Sequence, residues 1–544
     1  MKIWMLTFES KRIVKIGGLG EVPPSLGEAL VKKGHDVEII MPSHGVILNN
    51  AFTSKHKLSL VFEKEDYKAY RVDDITPPHI LLSSNILDNK KVYDQDILYE
   101  KIRDYAKAVS LYAIHALKTN NVPDIIHCND WHTIPSLLIL KTILGNKTRF
   151  LYQIHLLSHK RITGLDPQSL GISLDVQIPI KINSTQKMLS IKEIIDLAHN
   201  DLERLGCILA DVIATVSKHY LVDVLSYVGW ELKDKATVIY NGTDWSLEKI
   251  YKENITSNPL FSNKLSGDPL KDRKTIRDTL LTRLNEVFDT NEPIISNKDA
   301  ETIVKSVDKY PFMGRGRLHP FTKTGPLVIM TGRLTEQKGW SIFIKALDTL
   351  LFRVPEARIL LFPLPVGGHI DLMKTIIDYA RIYRDNIRPV FGIAKKLFVT
   401  AHIAADVMAA PSLFEPFGIM ALEAMASGTP VVASRTGGLS ETVLDIREHG
   451  VLGTGILVSP GNPTELAKAL SNMLLFMEAG YIKPWSPEWK RLIERIDDEE
   501  LSSLLLKNPE APWKIRESCI RRAREFSWDA AARIAEKAYE KALM

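Results

Sequence analysis

Two groups of residues, far apart in the chain, have types and spacing that could do chemistry. The first is Lys15-Ile16-Gly17-Gly18-Leu19-Gly20, directly after an apolar run at 3–8 and before a helical pattern over 21–33. Glycines let the backbone turn sharply and bring its N–H groups close to a ligand. A helix N-terminus behind them favours negative charge, so a diphosphate can sit there, and Lys15 adds a full positive charge at the same mouth. The pattern is neither a P-loop nor the dinucleotide fingerprint G-x-G-x-x-G, so ATP hydrolysis and NAD chemistry are not its natural readings. Standing alone, such a turn is equally a tight connection. A second, matching group makes it specific.

That second group begins at Thr331-Gly332-Arg333-Leu334-Thr335-Glu336-Gln337-Lys338-Gly339, where an apolar run at 327–330 ends. A guanidinium and an ammonium at the carboxyl end of a strand suit a diphosphate whose charge grows as it departs. The bland alternative is a solvated basic loop. Further on, Phe414-Glu415-Pro416-Phe417-Gly418 leads into a helical stretch that Gly428 stops. Glu415 lies in the loop and Glu423 in the helix, so one carboxylate could accept sugar hydroxyls and the other grip a ribose. Gly418 and its neighbours offer backbone N–H donors. The competing reading is an acidic residue offsetting the helix dipole plus one surface Glu. Thr436-Gly437-Gly438 makes another Gly-rich turn after the run at 431–433.

These groups need elements that hold them. Short apolar runs alternate with amphipathic helical stretches, the signature of parallel α/β units. Strands are expected at 3–8, 36–41, 125–128, 150–155, 212–216 and 237–240, then at 327–330, 358–362, 389–391, 406–409, 431–433 and 455–458. Val22, Leu26, Ala29 and Leu30 give the first helix one apolar face, with Pro23 and Pro24 suited to its first turn. The middle is polar, with one amphipathic helix through Ile276, Leu280, Leu284 and Val287. The expected organisation is a first domain over 1–250, a linker and insertion over 251–325, a second domain over 326–527, and a final helix over 528–544. Two open sheets facing each other would bind ligands in the crevice at the carboxyl ends of their strands.

At 544 residues the chain is too long for one core. Seventy basic against sixty-five acidic residues leave +5, too weak and too dispersed to point to nucleic acid or membrane. Cys128, Cys207 and Cys519 make neither a disulfide framework nor a metal cluster, which fits a reducing, cytoplasmic interior. His127, Cys128, Asp130 and His132 follow a strand, where alternate side chains point to opposite faces, so a metal site is not expected. No apolar run approaches transmembrane length, and the N-terminus reads as a strand rather than a signal peptide.

Taken in order, these pieces resemble the glycogen/starch synthases, retaining glucosyltransferases of the GT-B architecture. The matching segments are Lys15–Gly20, His127-Cys128-Asn129-Asp130-Trp131-His132, Gln153-Ile154-His155 and Tyr240-Asn241-Gly242-Thr243-Asp244. Gly332–Gly339, Glu415–Gly418, Arg435-Thr436-Gly437-Gly438-Leu439 and Phe526-Ser527-Trp528 complete the set. The resemblance implies two Rossmann-like doubly wound domains facing across a deep cleft, with a C-terminal helix crossing back to the first. It also implies transfer of glucose from ADP-glucose or UDP-glucose to the non-reducing end of an α-1,4-glucan such as glycogen, with retention and with no cofactor or metal. Arg333 and Lys338 would neutralise the leaving diphosphate, and Lys15 with Gly17–Gly18 would approach it. Glu415, Phe417 and Gly418 would position glucose, Glu423 the ribose, and Thr436–Gly438 a phosphate. His155 would sit at the reacting sugar, with Asp130 and Asn241 lining the crevice.

Within the family pattern Glu21 stands where Asp is frequent, Phe417 where bacterial members often carry Cys, and Leu156 where Asn is usual. The usual Pro between Glu9 and Lys15 is missing. None of these changes removes a cation or carboxylate of the set. A glucosyltransferase with a small acceptor, of sucrose or trehalose type, is the nearest alternative. A silent glucan-binding relative would have lost Lys15, Arg333, Lys338 or Glu415, and all four are present. Trp485, Trp489 and Trp513 are either a glucan-stacking surface or packing of a helical insertion. Arg315-Gly316-Arg317-Leu318-His319 is either a subunit or anion contact or a solvated loop.

Overall fold

The apolar run near the N-terminus becomes the centre of a parallel sheet because both its faces are covered. In the computed structural model, all residues are described except 165–166, 184, 263, 288–292, 296–297, 307–312, 315–316 and 366–368. Arg315 and Gly316 therefore lie outside the described residues. The chain divides into two compact units, Met1–Gly242 with Ser527–Met544, and Thr243–Phe526.

The first unit is built on β1 (Lys2–Leu6), β2 (Asp36–Pro42), β3 (Leu58–Lys64), β4 (Tyr67–Val72), β5 (His79–Ser83), β6 (Ile125–Asn129) and β7 (Arg149–Ile154). A separate antiparallel hairpin, β8 (Gln177–Ile182) and β9 (Thr185–Ser190), precedes β10 (Val212–Thr215) and β11 (Ala236–Val238). The main sheet runs β11-β10-β7-β6-β1-β2-β5-β4-β3. It is parallel except at its far edge, where β4 lies antiparallel to β5 and β3.

The first helix, Val22–Lys32, packs Val22, Leu26, Ala29 and Leu30 against β1 and β2. The last helix, Trp528–Leu543, joins that same core through Trp528, Ala531, Ala532, Ala535, Ala538, Tyr539 and Ala542. The alanines recur at helical spacing and let it approach closely. Its middle is tied by Glu536 to Lys33 at 2.8 Å and to His35 at 2.9 Å, and Tyr539 meets His127 Nδ1 at 2.8 Å. Gly242 makes the return possible, since a Cβ there would lie 2.5 Å from the Trp528 nitrogen.

In the second unit a small antiparallel pair, β12 (Met313–Gly314) and β13 (Arg317–Leu318), precedes six parallel strands. These are β14 (Leu327–Arg333), β15 (Arg358–Leu364), β16 (Ile387–Pro389), β17 (Val407–Ala410), β18 (Val431–Ser434) and β19 (Gly455–Val458). Their order is β16-β15-β14-β17-β18-β19. Residues 243–250 and the 251–325 stretch group with this unit.

The amphipathic helix of that stretch, Arg273–Thr282, is part of the core rather than a linker. Ile276, Leu280, Leu284 and Val287 are all buried. The Arg273 guanidinium, fully buried, donates to the carbonyls of Ser427 and Ala405, the latter at 2.7 Å. Trp489 is also buried, and Trp513 donates to the Gly480 carbonyl at 3.1 Å, so both pack the late helical segment. Of the three tryptophans only Trp485 is exposed, at 55%.

Candidate active site

A doubly wound sheet opens a crevice where neighbouring strands send their following connections to opposite sides. In the first unit β1 lies between β6 and β2, so the loops after β1 and β6 flank that point. The loop after β1 is organised by Glu9, which is 2% exposed. Its carboxylate accepts the N–H groups of Ile16 at 2.6 Å and Gly17 at 2.7 Å, and the Tyr93 hydroxyl at 2.5 Å. The expectation that Gly17 offers its N–H to a ligand is thus corrected, because that donor is committed to Glu9. Gly18 faces open space, where an added Cβ would meet nothing within 4 Å. Among the described residues the N–H groups of Gly18 and Leu19 carry no bond, just ahead of the first helix.

Lys15 is exposed and pairs with Glu21 at 2.7 Å, and Lys11 reaches the other oxygen of Glu21 at 2.5 Å. Burial would raise the Glu21 carboxyl, but the two lysines outweigh it and hold it below its ordinary value. Lys15 is therefore held at the mouth of the loop by an internal carboxylate, in reach of solvent.

Asp130 follows β6 with φ 58°, a left-handed backbone rare for a residue with a side chain. Its Oδ1 accepts the N–H groups of His155 at 2.7 Å and Leu156 at 3.3 Å. Burial pushes its carboxyl up to about 7, against the pull of those two donors. The His155 ring is pushed down to about 3 by burial and is neutral. Its Nε2 meets Asn129 Oδ1 at 3.0 Å, whereas its buried Nδ1 has no partner among the described residues. Asn241, 6% exposed, likewise leaves its Oδ1 without a partner there. His127 bonds Tyr539 and Gln153 while His132 stacks on Phe8 at 4.9 Å, so these histidines do not converge. Among the described residues no group of His, Cys, Asp and Glu could hold a metal ion.

In the second unit β14 lies between β15 and β17, and the loops after β14 and β17 flank the corresponding point. They are zipped together by Leu413 N to Gln337 O at 2.9 Å and by Gln337 Nε2 to Phe414 O at 3.0 Å. Lys338 Nζ pairs with Glu415 Oε2 at 2.5 Å, and Ser412 donates to the same oxygen at 3.1 Å. Arg333 is half-buried, and among the described residues its guanidinium has no hydrogen-bond or carboxylate partner. A cation left unmatched beside a matched pair is a place for an incoming anion.

The glycine turn after β18 shapes this loop. Gly437 has φ 46°, and a Cβ on it would lie 2.0 Å from the Glu415 carbonyl oxygen. The Gly438 N–H donates to that same carbonyl at 2.9 Å, and Thr436 N–H donates to Ser434 at 2.9 Å. Those two amides were expected to contact phosphate, but they are committed to holding the fold. The Phe417 ring is 2% exposed and packs on Phe526 at 5.8 Å, so the ring is turned into the fold and a sugar could be met only by the backbone of this residue. Gly418, at φ 92°, opens the helix Ile419–Ala426, within which Glu423 is half-buried. Gly437→Ala is expected to cost about 1–3 kcal/mol through this overlap and to displace Glu415, read as a lowered unfolding midpoint together with lost turnover.

Four residues that hold these loops escaped the sequence reading: Glu9 and Tyr93 at the first, and Glu203 and Tyr220, from two helices, at the segment after His155. Only Glu9 carried a local signal, its place between the first strand and the glycines.

Two doubly wound sheets, each with charged loops at its strand-order reversal, are the architecture of the GT-B glycosyltransferases. Residues 2–236 match the starch synthase catalytic domain family and residues 317–476 the glycosyl transferases group 1 family. The first match is to the starch synthases and the second to a broader group of glycosyl transferases. The chain is 26% identical over 525 residues to a glycogen synthase of Geotalea daltonii, covering 91% of this chain and 94% of that one. A glycogen synthase of Moorella thermoacetica is 24% identical over 561 residues, covering 100% and 97%. Among solved structures, the catalytic domain of Starch Synthase IV from Arabidopsis thaliana, bound to ADP and acarbose, superposes with a TM-score of 0.65 at 19% identity, covering 100% of this chain and 99% of that one.

Proposed function

We propose that the protein is a glycogen synthase that moves glucose from ADP-glucose or UDP-glucose to the non-reducing end of an α-1,4-glucan, with retention. The observation that carries this reading is the unmatched Arg333 beside the Lys338–Glu415 pair, at the end of the second sheet where ligands bind. Arg333 and Lys338 take the diphosphate, and Glu415 accepts hydroxyls of the glucose. Glu423 takes the ribose. On the first unit, Lys15 and the amides of Gly18 and Leu19, which carry no bond among the described residues, make a positive mouth of their own. The unpartnered Nδ1 of His155 and Oδ1 of Asn241 are available to sugar hydroxyls.

The bond from C1 to the diphosphate oxygen breaks while a new bond forms from C1 to the acceptor 4-oxygen on the same face. The acceptor proton passes to the departing phosphate oxygen. The protein then works mainly by stabilising the charge that develops on the diphosphate and by excluding water. A reducing cytoplasm is the compartment we assign, since the three cysteines are free and buried.

The test is transfer of radiolabelled glucose from ADP-glucose and from UDP-glucose, each with glycogen or a small sugar as acceptor. Amylase-digestible label in glycogen is the expected result, and the better donor settles the base. Label only in a small product, or in nothing, overturns the reading.

A further inference from the structure

The segment that follows His155 is held in an unusual way. Six consecutive backbone N–H groups, from residue 155 to residue 160, all donate to side chains. Asp130 takes those of His155 and Leu156, and the Tyr220 hydroxyl takes that of Leu157 at 2.6 Å. Glu203 takes the remaining three: Ser158 at 2.7 Å, His159 at 3.1 Å and Lys160 at 3.3 Å, with the Ser158 hydroxyl added at 2.5 Å. Glu203 opens the helix Leu202–Leu209, is 0% exposed, and has no cation partner among the described residues. A buried carboxylate without a cation is costly unless donors surround it. Here it is tolerated because the loop surrounds it with four donors, three of them on Oε1 and the Lys160 N–H on Oε2.

No described donor reaches the carbonyl oxygens of Leu156, Leu157, Ser158 or His159. The amides are thus all drawn to the protein side, and the loop keeps its acceptors for something else. A loop needing only stability could be pinned at one or two points. Clamping every amide instead fixes the position of His155 and of the carbonyls behind it.

We propose that Glu203 is a positioning residue of the transfer reaction: through the amides of 158–160 it sets the loop that carries His155 and presents the carbonyls of 156–159 to sugar hydroxyls. This rests on the glucosyl-transfer reading above. Glutamine at this position is uncharged, so the three donors at Oε1 lose their charge-assisted acceptor, and its NH2 group, in the place of Oε2, opposes the Lys160 N–H.

The experiment compares the full-length protein with Glu203→Gln and Glu203→Asp, using hydrogen exchange of the 155–160 amides and steady-state kinetics well below the unfolding midpoint. Glu203→Gln is expected to speed exchange in that loop. It should also lower kcat on the order of 10²-fold while the KM for the sugar nucleotide changes little. Glu203→Asp keeps the charge and should fall between. Folded Glu203→Gln with kcat within threefold of the parent would overturn the proposal, as would unchanged exchange. If Glu203→Gln does not fold, Glu203→Asp decides by the same two readouts. An inactive parent whose loop still loosens in Glu203→Gln would sink the transfer reading and leave the clamp standing.

Discussion

Arg333→Ala lowers kcat/KM for the sugar nucleotide by about 10²–10³-fold and leaves the unfolding midpoint where it was. The two halves of that expectation have separate causes. The guanidinium is half-buried and makes no internal bond among the described residues, so its loss strands no partner. Surface-type substitutions of this kind usually stay within about 0.5 kcal/mol. Its value lies in the charge that grows on a departing diphosphate, which a fixed cation stabilises more in the transition state than in the ground state. The effect should therefore appear mainly in kcat.

Lys338→Ala behaves differently. Its ammonium is paired with Glu415, which is 7% exposed, so its removal leaves a largely buried carboxylate without its cation. Turnover and stability should fall together in that variant. Turnover and unfolding measured side by side for both variants check the contrast. Near-normal turnover of Arg333→Ala would remove it from the diphosphate site.

The parallel strands that frame both half-sites were legible because each is an apolar run buried on both faces, which is what β1 and β14 require at the centre of their sheets. The far edge was not. β3 is half-buried to exposed and β4 only half-buried over most of its length, and their mixed residues carry little period to read. The charged site residues could be named because a strand end followed by glycines and cations has a local signature. Glu203 has none. It is a glutamate in the first turn of an ordinary helix, and only the fold reveals that its carboxylate is buried under the loop after β7. Gly17 and Phe417 show a related limit: which of their atoms face outward is decided by partners such as Glu9 and Phe526 that sequence spacing does not reveal. Arg273 and Arg277, both buried, carried no signal of that burial, since charge in a polar stretch reads as linker.

Asp406→Asn should cost about 3–5 kcal/mol, the usual price of leaving buried charge uncompensated. Asp406 is fully buried just ahead of β17 and receives Arg277 at 2.7 Å, Arg516 at 2.9 Å and the Leu327 N–H at 2.9 Å. It joins the helix Arg273–Thr282 and the helix Ala511–Glu525 to the start of β14. With asparagine the two guanidinium groups would face each other with only Glu478, 2.6 Å from Arg277, to offset them. Burial alone would raise the Asp406 carboxyl, but Arg277 and Arg516 outweigh it and hold it below its ordinary value. The sign follows from linkage. Its contribution is complete above the unfolded carboxyl value of about 3.9 and is lost as pH falls through the lower folded value. Urea unfolding across that range should therefore show the parent losing its advantage over Asp406→Asn only in acid. Asp406 sits at the amino end of β17, whereas Arg333, Lys338 and Glu415 lie at or beyond the carboxyl ends of β14 and β17. Turnover per folded molecule should then match the parent. Equal stability of the two proteins at neutral pH would mean that the 251–325 stretch is not fastened to the second unit through this carboxylate.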